Sequence, residues 1–182
     1  MDSKRTWIGL ILLVLGVGTA LAQSSRGDDW AADFHYGAAT GDFNLGLGVK
    51  SPAFAGVLNA SASADVLWKE SPPPGSASGT ASTMTAYSTV RAGINLEADA
   101  VGGVGRLYTG FGPILLVPGT LSSQNAFGGY GLFGFDFWLP DLASSYFAEL
   151  GGSITNATAD KVAGSPSLQN GFFINTGYRY HF

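Results

Sequence analysis

From residue 30 to residue 182 apolar and polar positions alternate with a period of two, interrupted at intervals by clusters of Gly, Pro, Ser, Asn and Asp. A period of two marks a strand that shows different chemistry on its two sides. Taken run by run, it predicts eight strands, at 30–40, 43–50, 56–68, 84–98, 104–116, 126–138, 145–155 and 171–182. No part of this stretch carries the 3.6-residue period of an amphipathic helix, so the fold class is all-β.

The alternation assigns faces. In the third strand Ala60, Ala62, Ala64, Val66 and Trp68 share one side and Asn59, Ser61, Ser63 and Asp65 the other. The fourth sets Val90, Ala92, Ile94 and Leu96 against Thr89, Arg91, Asn95 and Glu97, and the sixth sets Phe127, Phe133, Phe135 and Phe137 against Tyr130 and Asp136. The last sets Phe172, Ile174, Tyr178, Tyr180 and Phe182 against Asn175, Arg179 and His181. The fifth is glycine-rich and contains Pro113; phased by Leu107 and Phe111, it puts Arg106 on the polar side.

Connection lengths alternate as well. The links after strands two, four and six are short, at 51–55, 99–103 and 139–144, whereas those after three, five and seven are longer, notably 69–83 and 156–170. Only the first hairpin, turning at Gly41-Asp42, departs from this. An even number of strands with long loops on one rim and short turns on the other is the plan of an eight-stranded antiparallel up-and-down transmembrane β-barrel. On this plan the long loops 69–83 and 156–170 face outward and carry any contact function.

Alternation alone leaves open whether the apolar face meets lipid or, as in a lipocalin-type soluble barrel, a core. Composition separates the two. The chain has 27 glycines and 13% aromatic residues but only 12% charged ones, about half the usual charged fraction. A polar face in water would be rich in Lys and Glu, whereas this one is mostly Gly, Ser, Thr and Asn, the composition of a crowded lumen. Its charges are Lys50, Arg91, Arg106 and Arg179 with Asp33, Asp65, Glu97, Asp136 and Glu149, which nearly balance. An eight-stranded barrel is only wide enough for its own side chains, so charges inside it must be paired. Pairings of the Arg91/Glu97 and Arg106/Glu149 kind are expected, as packing or as an ion gate. The apolar phase carries no Lys or Arg, each of which would cost about 2–4 kcal/mol at the membrane midplane. Trp30, Trp68, Trp138 and Tyr146 fall near strand ends, where an interfacial girdle belongs. The small inward residues Gly46, Gly48, Ser61, Ser63, Gly93, Gly110 and Gly112 allow the alternative of a lumen cavity and a narrow channel.

The N-terminus adds a destination. Lys4 and Arg5 precede an apolar run at 7–17, and Ala20-Leu21-Ala22 has the small-x-small pattern of a cleavage site, so residues 1–22 read as a signal peptide and 23–182 as one barrel domain. The run is too short to span a bilayer as a helix. Without Lys4, Arg5 and Asp2, seven basic side chains remain against twelve acidic ones, with no basic run, which argues against nucleic acid as a partner. There is no cysteine, hence no disulfide, thiolate metal site or thiol nucleophile.

Other chemical signals are sparse. Gly103-Val104-Gly105 has no helix after it and reads as strand packing rather than a phosphate loop. Asn156-Ala157-Thr158 matches a glycosylation sequon, a three-residue pattern that by itself carries little weight. His35 and His181 lie on the first and last strands, which are neighbours if the barrel closes; both rings point into the lumen near the mouth where the chain enters and leaves. Such a pair with Asp33 could hold a metal or titrate. The simpler expectation is two hydrogen-bonded lumen histidines, with no metal and no cofactor.

The C-terminal strand, with Asn175, Gly177, Tyr178, Tyr180 and terminal Phe182, resembles the β-signal of bacterial outer-membrane proteins. The whole of 23–182 is similar to the small barrels of the OmpA transmembrane domain, OmpX and OmpW type. That resemblance implies recognition by the barrel assembly machinery, insertion into a Gram-negative outer membrane, and lipid and lipopolysaccharide as surroundings. Lipid A deacylases of this architecture carry His and Ser two residues apart on a late strand, and lipid A palmitoyltransferases carry His, Asp and Ser near the surface rim. Neither set has counterparts here, since His181 has Arg179 and Phe182 beside it and neither His lies in a long loop. The resemblance thus implies a non-enzymatic porin-like envelope protein for envelope integrity or surface interaction. An OmpW-like channel for small or hydrophobic solutes is the alternative, ahead of a lipid A modifying enzyme.

Overall fold

The computed structural model describes residues 29–71, 83–99, 105–119, 124–140, 143–160, 162 and 164–182; the export segment, Gly103-Val104 and the loop at 72–82 lie outside them. Eight strands follow in chain order: β1 (Ala31–Ala39), β2 (Asp42–Lys50), β3 (Leu58–Ser71), β4 (Thr83–Asp99), β5 (Gly105–Val117), β6 (Ala126–Trp138), β7 (Ser144–Thr155) and β8 (Gly171–His181). Each pairs antiparallel with the next, and β1 pairs with β8 through Asp33↔Arg179 and His35↔Gly177, so the sheet closes into a barrel. The β3–β4 ladder runs on to Ser71↔Thr83, beyond the end of the alternation at Trp68, because backbone pairing continues where the side chains Lys69 and Glu70 have become polar.

Closure turns the two phases into an outside and an inside. Phe172 is 81% exposed and Phe111 and Phe127 70%, whereas on the opposite phase Asp136 is wholly buried and Lys50, Asp65, Asn95 and Arg179 are buried. This is the inverse of a water-soluble barrel, and it rules out the lipocalin-type arrangement. The phase of β5 follows Leu107 and Phe111: Arg106 turns inward and pairs with Glu97. The β4–β5 ladder is interrupted where Ala92 and Gly93 face Pro113 and Gly112, since proline has no N–H to donate.

The inward glycines do not leave a channel at their level. Several receive a side chain from another strand: His35 lies over Gly46, Asp33 over Gly48, Tyr108 over Gly134 and Phe173 over Gly151, and a Cβ at any of these would collide with it, whereas Gly112 meets only the backbone of Ala92 and Gly93. The space left beside Asp33, His35, Lys50, Arg91, Tyr108 and Arg179 is a cavity of about 40 Å³, room for about two or three waters.

Two expectations about the rims change. The upper rim carries the β1–β2, β3–β4, β5–β6 and β7–β8 connections, and the lower rim carries the chain ends and the other three. The 156–170 connection does not face wholly outward, because Ala157, Ala159 and Leu168 turn into the upper mouth and are buried. At the lower rim Trp30 and Tyr146 are exposed, and Tyr146 meets Tyr178 edge-on at 5.7 Å. Trp138, however, occupies an inward position, half-buried against the His181 ring at 4.5 Å, and so closes the lumen instead of joining the girdle.

Candidate functional site

Every strand places at least one charged side chain in the lumen; Asp42 and Lys69 pair at 3.4 Å near the upper mouth, and the other charges form one connected network. From the lower rim, Arg106 donates to Glu97 at 2.8 Å, Glu97 contacts Lys50, and Lys50 lies 3.6 Å from Asp136. Asp136 accepts from Arg179 at 2.6 Å, and Arg179 reaches Asp33 at 3.5 Å and Glu149 at 3.9 Å. His35 stands between Asp33 and Asp65, with Nδ1 2.8 Å from one and Nε2 2.8 Å from the other, and Asp65 accepts from Arg91 at 3.1 Å. The pairs Arg91/Glu97 and Arg106/Glu149 do not form. Arg91 turns to Asp65, Arg106 to Glu97, and Glu149 accepts from Tyr108 at 2.8 Å.

His35 completes the charge balance. Both its nitrogens face carboxylate oxygens; with both carboxylates ionised, and so able only to accept, both nitrogens donate and the ring is an imidazolium. With Lys50, Arg91, Arg106 and Arg179 it opposes Asp33, Asp65, Glu97, Asp136 and Glu149, and no net charge remains among them. Neutrality matters because an uncompensated charge in so narrow a lumen carries a desolvation cost of several kcal/mol.

Aromatic rings fill the gaps between the ions. The Arg179 guanidinium lies 4.3 Å from the Phe147 ring centre, Arg91 lies 5.1 Å from Phe173, and Lys50 lies 5.3 Å from Tyr108. These contacts bury the cations against the negative faces of the rings. Tyr108, Phe147 and Phe173 were not marked as lumen residues by the alternation, which scores an aromatic as apolar. Their inward phase, shared with Arg106, Glu149 and Asn175, is the signal that would have found them.

The two histidines do not form a pair. His35 sits in mid-lumen, while His181 lies at the lower mouth, where Nε2 meets Ser145 Oγ at 3.3 Å. Ser145 and His181 come from different strands, so their proximity is invisible in the linear sequence. Ser145 is wholly buried, Trp138 covers the imidazole, and Nδ1 of His181 has no hydrogen-bond partner to orient it. A nucleophile needs access and an oriented base, and this pair has neither. Among the described residues no three His, Cys, Asp or Glu side chains are arranged to hold a metal ion.

At the C-terminal strand Tyr178 and Tyr180 face outward and Asn175 and Gly177 inward. Asn175 accepts from Asn44 at 2.9 Å. Gly177 lies under His35 and Phe147.

No protein-family model matches the chain, and no curated protein matches it. Among solved structures, the N-terminal β-barrel domain of Pseudomonas aeruginosa OprF is similar, with a TM-score of 0.58 and 10% sequence identity over 87% of this chain and 100% of that one. At that identity the likeness is one of fold, and it joins the closed eight-strand topology and the inverted polarity: this chain has the fold of the small eight-stranded outer-membrane barrels.

Proposed function

We propose that this chain is an outer-membrane β-barrel with a filled lumen that works without enzymatic chemistry, serving envelope integrity or surface contact through its upper-rim connections. The observation that carries this reading is the inverted polarity. Phe111, Phe127, Ile154 and Phe172 form a surface suited to hydrocarbon, while the strand charges are collected and paired inside. The fold likeness to the OprF barrel supports the same destination. Cleavage of residues 1–22, an assembly signal at Asn175, Gly177, Tyr178, Tyr180 and Phe182 read by the barrel assembly machinery, and lipopolysaccharide as a neighbour belong to the same proposal.

Two measurements test it. The refolded protein should migrate differently on a denaturing gel before and after boiling, and in planar bilayers it should give no reproducible single-channel steps. Protein that stays monodisperse in water without detergent would overturn the membrane reading. Regular conductance steps would overturn the filled lumen and favour a channel.

A further inference from the structure

Three outward glycines contrast with the covered inward ones. Gly129 and Gly131 on β6 and Gly152 on β7 carry no side chain above them: a Cβ on each would meet nothing nearer than a backbone carbonyl oxygen, at 3.8, 3.9 and 3.6 Å respectively. None of the three has a positive φ, so the backbone admits a side chain at every one. A glycine inside a strand weakens it, and where neither backbone nor packing requires one it marks a place where something else approaches closely.

The register builds walls around this bare floor. Gly131 and Gly152 face each other on neighbouring strands, with Phe111 beside Gly131 on β5 and Phe172 beside Gly152 on β8. Phe111 and Phe172, together with Phe127 and Ile154 higher on β6 and β7, are the four most exposed large hydrophobic side chains among the described residues, at 70–81%. The result is a groove of about 1000 Å³ on the outer surface. The next outward pair below, Phe133 opposite Leu150, bounds its lower end, and exposed Asn156 and Asn170 stand at its upper end.

We propose that this groove seats one acyl chain of a membrane lipid whose headgroup lies at the upper rim. The proposal rests on the membrane reading above, and the test separates the two. The groove is continuous with the lipid-facing surface, so hydrocarbon is what it meets. Its polarity runs as a lipid does: carboxamides that donate to ester or phosphate oxygens stand at the rim, and only glycine and apolar side chains line it below. From Gly152 to Asn156 it follows four residues of chain, about 13 Å. That is close to the depth of one leaflet in a hydrocarbon core about 30 Å thick. A groove that ends near mid-membrane suits a single chain descending from one leaflet, whereas a second barrel presses on the full height of the wall. Packing against the bare backbone and the flanking rings holds the chain, because lipid tails are as apolar as the surface around them and gain nothing by leaving other lipid.

Native mass spectrometry of the refolded protein in detergent micelles containing dimyristoyl phosphatidylethanolamine tests this. One phospholipid should stay on each barrel after the detergent is stripped. Gly131→Leu with Gly152→Leu fills the floor and should lower the retained fraction at least ~5-fold, since the chain loses its packing there. Ala62→Leu with Ala92→Leu places two leucines on a facing outward pair of β3 and β4 and should leave retention unchanged. Gly131→Ala with Gly152→Ala fills less, should fall between, and serves if the leucine pair does not fold. Equal retention by the native protein and the filled variants, or none by the native protein, would overturn the groove. A mass of two barrels that the leucine pair abolishes would overturn the lipid in favour of a second copy. Folding is followed by heat-modifiable migration, and protein that stays monodisperse without detergent counts against the membrane reading instead.

Discussion

Arg179 on β8 and Asp136 on β6 meet at 2.6 Å across the strand that separates them, with both side chains buried. This contact ties the closing strand to the barrel through its interior, independently of the backbone ladder. Arg179→Met leaves Asp136 as a buried charge short of its main partner, and should cost about 3–5 kcal/mol in urea unfolding of the refolded protein. The double variant Arg179→Met, Asp136→Leu removes both charges and should be more stable than the single one. If the two are equally destabilised, the ion pair is not what holds these strands.

His35 offers a spectroscopic check. As an imidazolium donating to Asp33 and Asp65, it should show two slowly exchanging ring N–H protons in a ¹⁵N-edited spectrum of the protein in micelles at neutral pH. One protonated nitrogen would contradict the charge balance. His35→Gln cannot donate to both carboxylates from the same position and should lower stability by about 3 kcal/mol.

Glycines of opposite phase should respond with opposite sign. A Cβ at Gly46 would strike the His35 ring and Asp65, so Gly46→Ala should displace that hydrogen bond and destabilise by about 1–3 kcal/mol. A Cβ on outward Gly131 would meet nothing nearer than 3.9 Å. Gly131→Ala should therefore be neutral or stabilise the strand by about 0.5–1 kcal/mol. Midpoints from parallel urea titrations compare the two directly, and a loss at Gly131 as large as that at Gly46 would refute the assignment.

The β1–β2 turn holds an avoidable strain. Thr40 and Gly41 form its two-residue loop with φ of 54° and 90°, and a β-branched residue is poorly suited to the first of these. Thr40→Asn creates the Asn-Gly pair that such turns prefer and keeps the bond from the residue 40 N–H to Phe172 O. It should raise stability by about 0.5–1 kcal/mol, measured as a higher urea midpoint with an unchanged slope.

How much was legible in the sequence varies by feature. The position of each strand was, because Val90, Ala92, Ile94 and Leu96 against Thr89, Arg91, Asn95 and Glu97 is a local pattern that needs no partner to be read. Membership of the lumen followed from the same pattern for charged residues, but not for Tyr108, Phe147 and Phe173, whose inward phase conflicts with their hydrophobicity. The turn of Ala157, Ala159 and Leu168 into the mouth escaped it, because a polar Asn/Ser/Gly-rich connection resembles a solvated loop whichever way its few apolar residues face.

The sequence by itself determined the number of strands, their two faces and the near-neutral charge of the inward face, all of which depend on residues one or two positions apart. The tertiary structure decided who meets whom. Arg91 finds Asp65 and not Glu97, Arg106 finds Glu97 and not Glu149, and His35 and His181 part, because strand stagger and side chains reaching over glycine set contacts across the barrel. That geometry exists only once β8 has closed against β1, and no spacing along the chain encodes it locally.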